Sequence, residues 1–256
     1  LYKAKDFIGY ISMNSTSNKY AWVEWNQPFM PWDCNFLKVA CVNKTGEITL
    51  ESISNITLRN KNSTYSYFQP TWLNDNELIV AEDTSGWWNL IRISFRKDMS
   101  FDVNSLLKTE KDFAIPQWTS GMSTISINRT KIISLCCEKS IWKINSFDKN
   151  GCVNDIKLPF DSFMSINTDN DRLVSIASSA YIQSGLLELD MKTGKYMFQA
   201  PGDIYFDPKD ISTGKPFSFK GFNGKITYSC LYEPLFENSQ RTPLLIKVHS
   251  GPTSMA

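Results

Sequence analysis

Along most of the chain, short runs of alternating or continuous apolar residues are separated by Asn, Asp, Gly and Ser, and the spacing of an amphipathic helix is hard to find before residue 210. The pattern predicts an all-β stretch. When the runs are stacked they repeat: Ala21–Trp25 is followed by Asn35–Val42, Glu77–Asp83 by Asn89–Phe95, Lys131–Glu138 by Ser140–Phe147, and Arg172–Ser179 by Gly185–Met191. These hairpins recur at roughly 50-residue intervals, within the range of propeller blades. A further strand candidate precedes each, at Ile8–Met13, Gln69–Leu73, Ile115–Trp118 and Phe163–Ile166, and a fourth follows several, as at Ile48–Ile53 and Asp155–Leu158. Turn-forming residues at Asn43–Gly46, Asn74–Asn76, Asp148–Gly151 and Lys192–Gly194 sit where tight connections are required. The expected fold is mainly β: a partial β-propeller of about four four-stranded blades over residues 1–211. An irregular β-sandwich is the alternative.

Composition narrows the function more than the fold. With 27 basic against 26 acidic residues the net charge is +1, and no run of like charge makes a basic arm, so nucleic acid is not an expected partner. No apolar run nears the roughly 18 residues a bilayer requires, and Leu1–Asp6 lacks the apolar core of a signal peptide, so no membrane partner is expected. The chain opens on Leu1 and not on an initiator methionine, so a missing start is expected. Six cysteines without a Cys-x-x-Cys pair, together with the one histidine, His249, assemble no zinc constellation. Neither metal nor cofactor is expected, and the cysteines fit a reducing, cytoplasmic compartment. Asn-x-Ser/Thr triplets at Asn14, Asn43, Asn55, Asn62 and Asn128 are what an Asn-, Ser- and Thr-rich chain produces by chance.

The texture changes after residue 210. Pro216–Lys220, a turn at Asn223-Gly224 and Lys225–Tyr232 lead through a polar loop to Pro243-Leu-Leu-Ile-Lys-Val-His-Ser-Gly-Pro252, whose apolar part reads as a strand buried on both faces. That is how a central strand of an α/β sheet opens onto a loop. Asn223–Pro234 followed by Pro243–Thr253 resembles the start of the catalytic domain of the prolyl oligopeptidase family of serine peptidases. The resemblance is to the acylaminoacyl-peptidase and dipeptidyl-aminopeptidase-like branch in particular, where this strand ends in His-Gly-Gly-Pro. Upstream, Ala21–Trp25 with Met30-Pro-Trp-Asp33, Phe68-Gln-Pro-Thr-Trp72, Thr84-Ser-Gly-Trp-Trp-Asn-Leu90, and Pro116-Gln-Trp118 with Gly121-Met122 resemble that branch's propeller in the same order. The resemblance implies a propeller of about seven blades before an α/β-hydrolase domain. This chain would then hold the later blades (1–211) and the first strands of a truncated catalytic domain (212–256).

A serine hydrolase of that fold needs a Gly-x-Ser-x-Gly elbow, a histidine and a carboxylate. No such elbow occurs here, so the triad is expected downstream and the fragment alone is expected to be inactive. His249 stands at the strand end, where local loop structure is its default role. By resemblance, Gly251 would supply an oxyanion-hole amide, while Ser250 replaces the family's first glycine, which puts the local backbone in question. In the propeller, every loop from the second to the third strand of a blade emerges on one face. The loops 26–35 and 84–88 carry Phe29, Trp32, Asp33, Trp87 and Trp88, flanked by Glu24, Glu82 and Asp83. Aromatic rings beside carboxylates suit a peptide with a free amino terminus, and Glu24, Trp32, Asp33, Glu82 and Trp87 are the candidate substrate contacts. The alternative is that the tryptophans pack between blades and the acids are solvated.

The expected parent is a serine peptidase acting on short peptides, or releasing N-terminal acylated residues or dipeptides, with the propeller restricting access. Its partners would be the peptide substrate and its own catalytic domain, and the oligomeric state stays open. A non-enzymatic propeller that binds protein partners is the rival reading, and a propeller glycosidase with paired carboxylates a third.

Overall fold

The computed structural model describes residues 2–43, 45–58, 64–148, 151, 153–202, 207–236, 242–249 and 251. Four antiparallel four-stranded sheets follow one another along the chain as blades of a β-propeller. Blade 1 is β1 (Phe7–Met13), β2 (Lys19–Trp25), β3 (Phe36–Val42) and β4 (Ile48–Ile56). Blade 2 is β5 (Tyr67–Asn74), β6 (Glu77–Glu82), β7 (Asn89–Phe95) and β8 (Phe101–Ser105). Blade 3 is β9 (Ile125–Asn128), β10 (Lys131–Glu138), β11 (Ile141–Phe147) and β12 (Val153–Ile156). Blade 4 is β13 (Ser162–Asp169), β14 (Arg172–Ser178), β15 (Gly185–Asp190) and β16 (Tyr196–Gln199). A separate two-stranded hairpin, β17 (Lys215–Lys220) and β18 (Ile226–Leu231), comes last.

Three apolar cores lie between the four blades, and strand alternation assigns side chains to them. In β6, Leu78 and Val80 face blade 1 with Ala21, Val23, Leu37 and Val39, while Ile79 and Ala81 face blade 3 with Ile125 and Phe147. In β10, Ile132 and Cys136 join the core with blade 2, and Ile133 and Leu135 the core with blade 4. A strand between two blades is buried on both sides, so its sequence reads as a continuous apolar run and not as an alternation.

Polar joints fix the blades to one another. Gln69, at φ 50° in the bulge of β5, donates through Nε2 to the Ile125 carbonyl at 2.7 Å and to Ser123 Oγ at 2.9 Å. Its Oε1 accepts from the backbone N–H groups of Thr124 at 2.7 Å and Ile125 at 3.0 Å. Ser123 passes the connection on, its hydroxyl donating to the Ile166 carbonyl at 2.8 Å. Replacing Gln69 with Leu keeps bulk but orphans these backbone groups, and because the site is half-buried, water recovers part of the loss. A cost of about 1–2 kcal/mol is expected, read as a lowered denaturant midpoint in the intact protein.

Two strand expectations differ from the structure. Ile115–Trp118 is not a strand: Trp118 N–H donates to the Pro116 carbonyl at 2.9 Å in a tight turn, and the innermost strand of blade 3 is Ile125–Asn128. Pro116 has no N–H to give a sheet. Residues 242–249 form no strand either, and Leu244, Leu245, Ile246 and Val248 are between 75 and 92% exposed. A central strand takes both its hydrogen bonds and its cover from neighbours, and no described element flanks this one. Of the expected turns, 43–46 and 148–151 include residues outside those described, although Gly46 and Gly151 N–H groups donate to the Asn43 and Asp148 carbonyls at 3.0 Å.

Candidate functional site

In an up-and-down blade, the connection from the second to the third strand and the connection to the next blade emerge on the same face. Here that face is built from residues 26–35, 83–88, 139–140 and 179–184 and from the longer connections 64–66, 106–124 and 157–161. Asparagines at the start of the third strands tie these segments together. Asn35 Nδ2 donates to the Pro31 and Tyr67 carbonyls at 2.7 Å, and Asn89 Nδ2 donates to the Thr109 carbonyl at 3.0 Å. Both are buried, so each amide must find partners, and this is what fixes the loops.

Trp32 is buried, its ring centroid 4.3 Å from that of Trp118, which remains 47% exposed. Phe29 and Met30 are exposed beside them on the same loop. Asp33 is exposed and caps its own turn, one carboxylate oxygen accepting from Met30 N–H at 2.9 Å. On blade 2, Glu82 is buried and accepts from Thr84 N–H at 2.7 Å, and Trp87 meets Tyr228 of β18 edge to face at 6.0 Å. The expected set is therefore only partly brought together. Trp32 and Asp33 share one loop, while Glu82 and Trp87 flank another. Glu24, a candidate substrate contact, is buried within blade 1, where Trp22 Nε1 donates to it at 2.6 Å and Lys38 Nζ lies 3.3 Å away. Burial works against the Lys38 ammonium, but the Glu24 carboxylate and Tyr2 outweigh it and hold the pKa above its ordinary value.

The sequence reading did not single out Trp118 or Asp112 as site residues. Asp112 Oδ1 accepts from Trp88 N–H at 3.0 Å, and burial raises its pKa against that hydrogen bond. Burial likewise pushes the Asp83 pKa up to about 6, opposed by Ser66 N–H at 2.7 Å and reinforced by the Glu82 charge. Because the folded pKa lies above the unfolded value, ionised Asp83 destabilises the fold above about pH 6. The cost falls away as pH drops toward the unfolded carboxylate pKa near ~4. Asp83→Asn keeps the acceptor oxygen and should raise the Tm at pH 8 while leaving it unchanged at pH 4, measured by calorimetry of the intact protein.

The last hairpin lies over this face. Its register sets Tyr228 opposite Ser218 and Cys230 opposite Pro216, all on one side, and that side meets the blades through Trp87 and through Ser140, whose hydroxyl is 3.3 Å from the Cys230 sulfur. The other side carries Phe217, Phe219 and Leu231, each more than 40% exposed. Gly251 rests against Trp118, where an added Cβ would stand 3.2 Å from the ring, and its φ is 69°. Ser250 and Pro252, part of the expected loop, lie outside the described residues. Among the described residues no group of three or more His, Cys, Asp or Glu side chains is placed to hold a metal ion, and no helix is long and apolar enough to cross a membrane.

No family model and no curated protein matches the chain. Solved structures do. A puromycin-hydrolyzing peptidase of Mycobacterium tuberculosis superposes with a TM-score of 0.80 at 20% identity, over 91% of this chain and 35% of its own. A puromycin hydrolase superposes with a TM-score of 0.73 at 25% identity, over 89% of this chain and 34% of its own. Prolyl oligopeptidase B of Galerina marginata, bound to a macrocyclization substrate, gives 0.63 at 13% identity, over 87% and 30%. These structural neighbours are prolyl oligopeptidase family peptidases, and the chain spans about a third of their length.

Proposed function

We propose that this chain is the later-blade portion of a prolyl oligopeptidase family serine peptidase that hydrolyses short peptides or releases N-terminal acylated residues or dipeptides. In this reading residues 1–211 belong to the propeller and 212–256 open the α/β-hydrolase domain. The serine, aspartate and histidine come from polypeptide outside the 256 residues. The observation that carries the proposal is the last hairpin, which lies with one side on the loop face of blades 2 and 3 and turns Phe217, Phe219 and Leu231 outward. An apolar side of this kind, like the exposed Leu244–Val248 run, calls for a covering layer, and a hydrolase sheet with its helices supplies one.

The propeller then forms one wall of the substrate chamber. Trp118, backed by the buried Trp32, and Trp87 offer ring faces, and Asp33 with Glu82 and Asp83 offers negative charge to a free amino terminus. Glu24 contributes by holding blade 1 together. Gly251 supplies a backbone N–H to the developing oxyanion. The described cysteines are free thiols, which supports a reducing, cytoplasmic setting.

The test is to express the full-length polypeptide that contains this chain and to assay fluorophosphonate labelling together with hydrolysis of N-acylated and free aminoacyl-peptide anilides. Labelling and turnover are expected there, and neither in the 256-residue chain alone. Peptide binding without turnover in the folded full-length protein would overturn the peptidase reading in favour of a scaffold. Stoichiometric labelling of the short chain would overturn the placement of the triad.

A further inference from the structure

Blade 3 meets the hairpin β17–β18 at a two-residue turn, Lys139-Ser140, and that turn brings two thiols together. Both residues have positive φ, 51° and 65°, as a type I′ connection requires, with no glycine or asparagine to ease the strain. The turn closes β10 onto β11 at the Glu138–Ile141 pair. In this conformation the Ser140 backbone N–H donates to the Cys137 sulfur, while the Cys230 thiol donates to the Ser140 hydroxyl at 3.3 Å. Ser140 thus contacts the Cys230 sulfur and stands three residues from Cys137 across the turn, and the Cys230 charge works with burial to raise the Cys137 pKa. Alternation along β10 separates the adjacent cysteines: Cys136 enters the core with blade 2, and Cys137 lies on the other side of the strand. Cys137 is buried, and Cys230 is half-buried on the side of β18 that lies on the blades.

We propose that Cys137 and Cys230 are a thiol–disulfide pair that staples the last hairpin to blade 3, and that a small disulfide of the glutathione type is its oxidant. The Cys230 thiolate attacks one sulfur of that disulfide, the S–S bond breaks, and one small thiol leaves, so that Cys230 carries a mixed disulfide. The Cys137 thiolate then attacks the Cys230 sulfur and expels the second small thiol. Two protein S–H groups become one S–S bond, and two electrons and two protons leave with the two small thiols. The order follows accessibility. Burial pushes the Cys137 pKa up to about 11, which suits it to resolving a neighbouring mixed disulfide better than to attacking a free oxidant. Ser140, already between the sulfurs, need only rotate its hydroxyl away. The oxidised staple holds β18 in place over the loop face, and reduction releases it.

The test treats the native full-length polypeptide with oxidised glutathione, then alkylates, digests and maps it without reduction. The expected result is a Cys137–Cys230 link in most molecules, lost in Cys137→Ser and in Cys230→Ser. It should persist in Cys136→Ser, which also settles the assignment, because both neighbours fall in one tryptic peptide. Trypsin cleavage after the exposed Lys220 and Lys225 should slow several-fold or more on oxidation of the unsubstituted protein, and dithiothreitol should restore it. A glutathione adduct that stays on Cys230, or a link to Cys136, would overturn the pairing. Unchanged cleavage in the linked protein would overturn the staple. None of these readouts needs peptidase activity, so this proposal and the peptidase reading can fail separately.

Discussion

Produced as a separate polypeptide, these 256 residues should self-associate through the outward faces of blades 1 and 4. Blade 4 alternates cleanly: Leu173, Ala177, Leu187 and Leu189 enter the core with blade 3, while Met164, Val174, Ile176, Leu186 and Met197 are 39 to 66% exposed. The exposed set is contiguous, since Met164 pairs with Ile176 and Ile176 with Leu186 across the sheet. Blade 1 ends the other side of the stack with Ile8, Met13 and Phe36, each 42 to 48% exposed. Such faces are the same kind of surface that the internal blades bury against one another, and left open they make a contact between copies. Light scattering after size exclusion should show oligomers or aggregate. The double substitution Ile176→Lys with Leu186→Glu puts opposite charges on a directly paired position and should shift the distribution toward monomer. In the full-length protein of the proposed reading the same pair should destabilise, because there the face is covered. A monodisperse monomer of the unsubstituted chain with one cooperative unfolding transition would show that the two faces close on each other.

The blades were legible because burial on both sides leaves an unambiguous mark. Leu78–Ala81 is apolar throughout and Ile132–Cys136 is apolar but for Ser134, and the Asn, Asp and Gly residues around them set the turns. Blade 4 carries apolar residues on both sides too, so the sequence describes a fully flanked blade even though one face is open. Local patterns mislead where the deciding partner is distant. Ile115–Trp118 has strand-like side chains, but its backbone is committed to crossing between blades, and the real inner strand, Ile125–Asn128, is short. Pro243–Val248 states a preference for extended backbone without saying what would pair with it. The same limit applies to the site. Trp32 and Trp118 become one aromatic pair only through the stacking of blades, and no spacing along the chain announces it. Glu24 reads as a candidate substrate contact, and only the register that sets Trp22 opposite Lys38, one strand away, reveals its ion pair with Lys38.

In the proposed peptidase reading, with Gly251 as an oxyanion donor, Gly251→Ala should lower kcat of the full-length protein by about 10- to 100-fold, with a smaller change in KM. At φ 69° the backbone lies in the left-handed region, where a side chain costs on the order of 1 kcal/mol in strain. The added Cβ would also stand 3.2 Å from Cζ2 of Trp118, and that ring is held by Trp32, so it has little room to give. The backbone should therefore shift, and an oxyanion donor that must sit roughly 3 Å from the oxygen loses most of its effect when displaced. Because the oxyanion forms only in the transition state, the loss appears in kcat. Trp118→Phe is the informative companion: it keeps an apolar floor but vacates the atom nearest Gly251. In the Gly251→Ala background it should restore part of kcat, whereas alone it should change little. The same reading expects Ser250→Gly to be nearly neutral, since it restores the first glycine of the His-Gly-Gly-Pro pattern that this stretch resembles. Stopped-flow burst kinetics would separate acylation from product release for each variant. An unchanged kcat in well-folded Gly251→Ala would remove this amide from the mechanism, and a full loss without rescue by Trp118→Phe would move the cause from steric displacement to backbone strain.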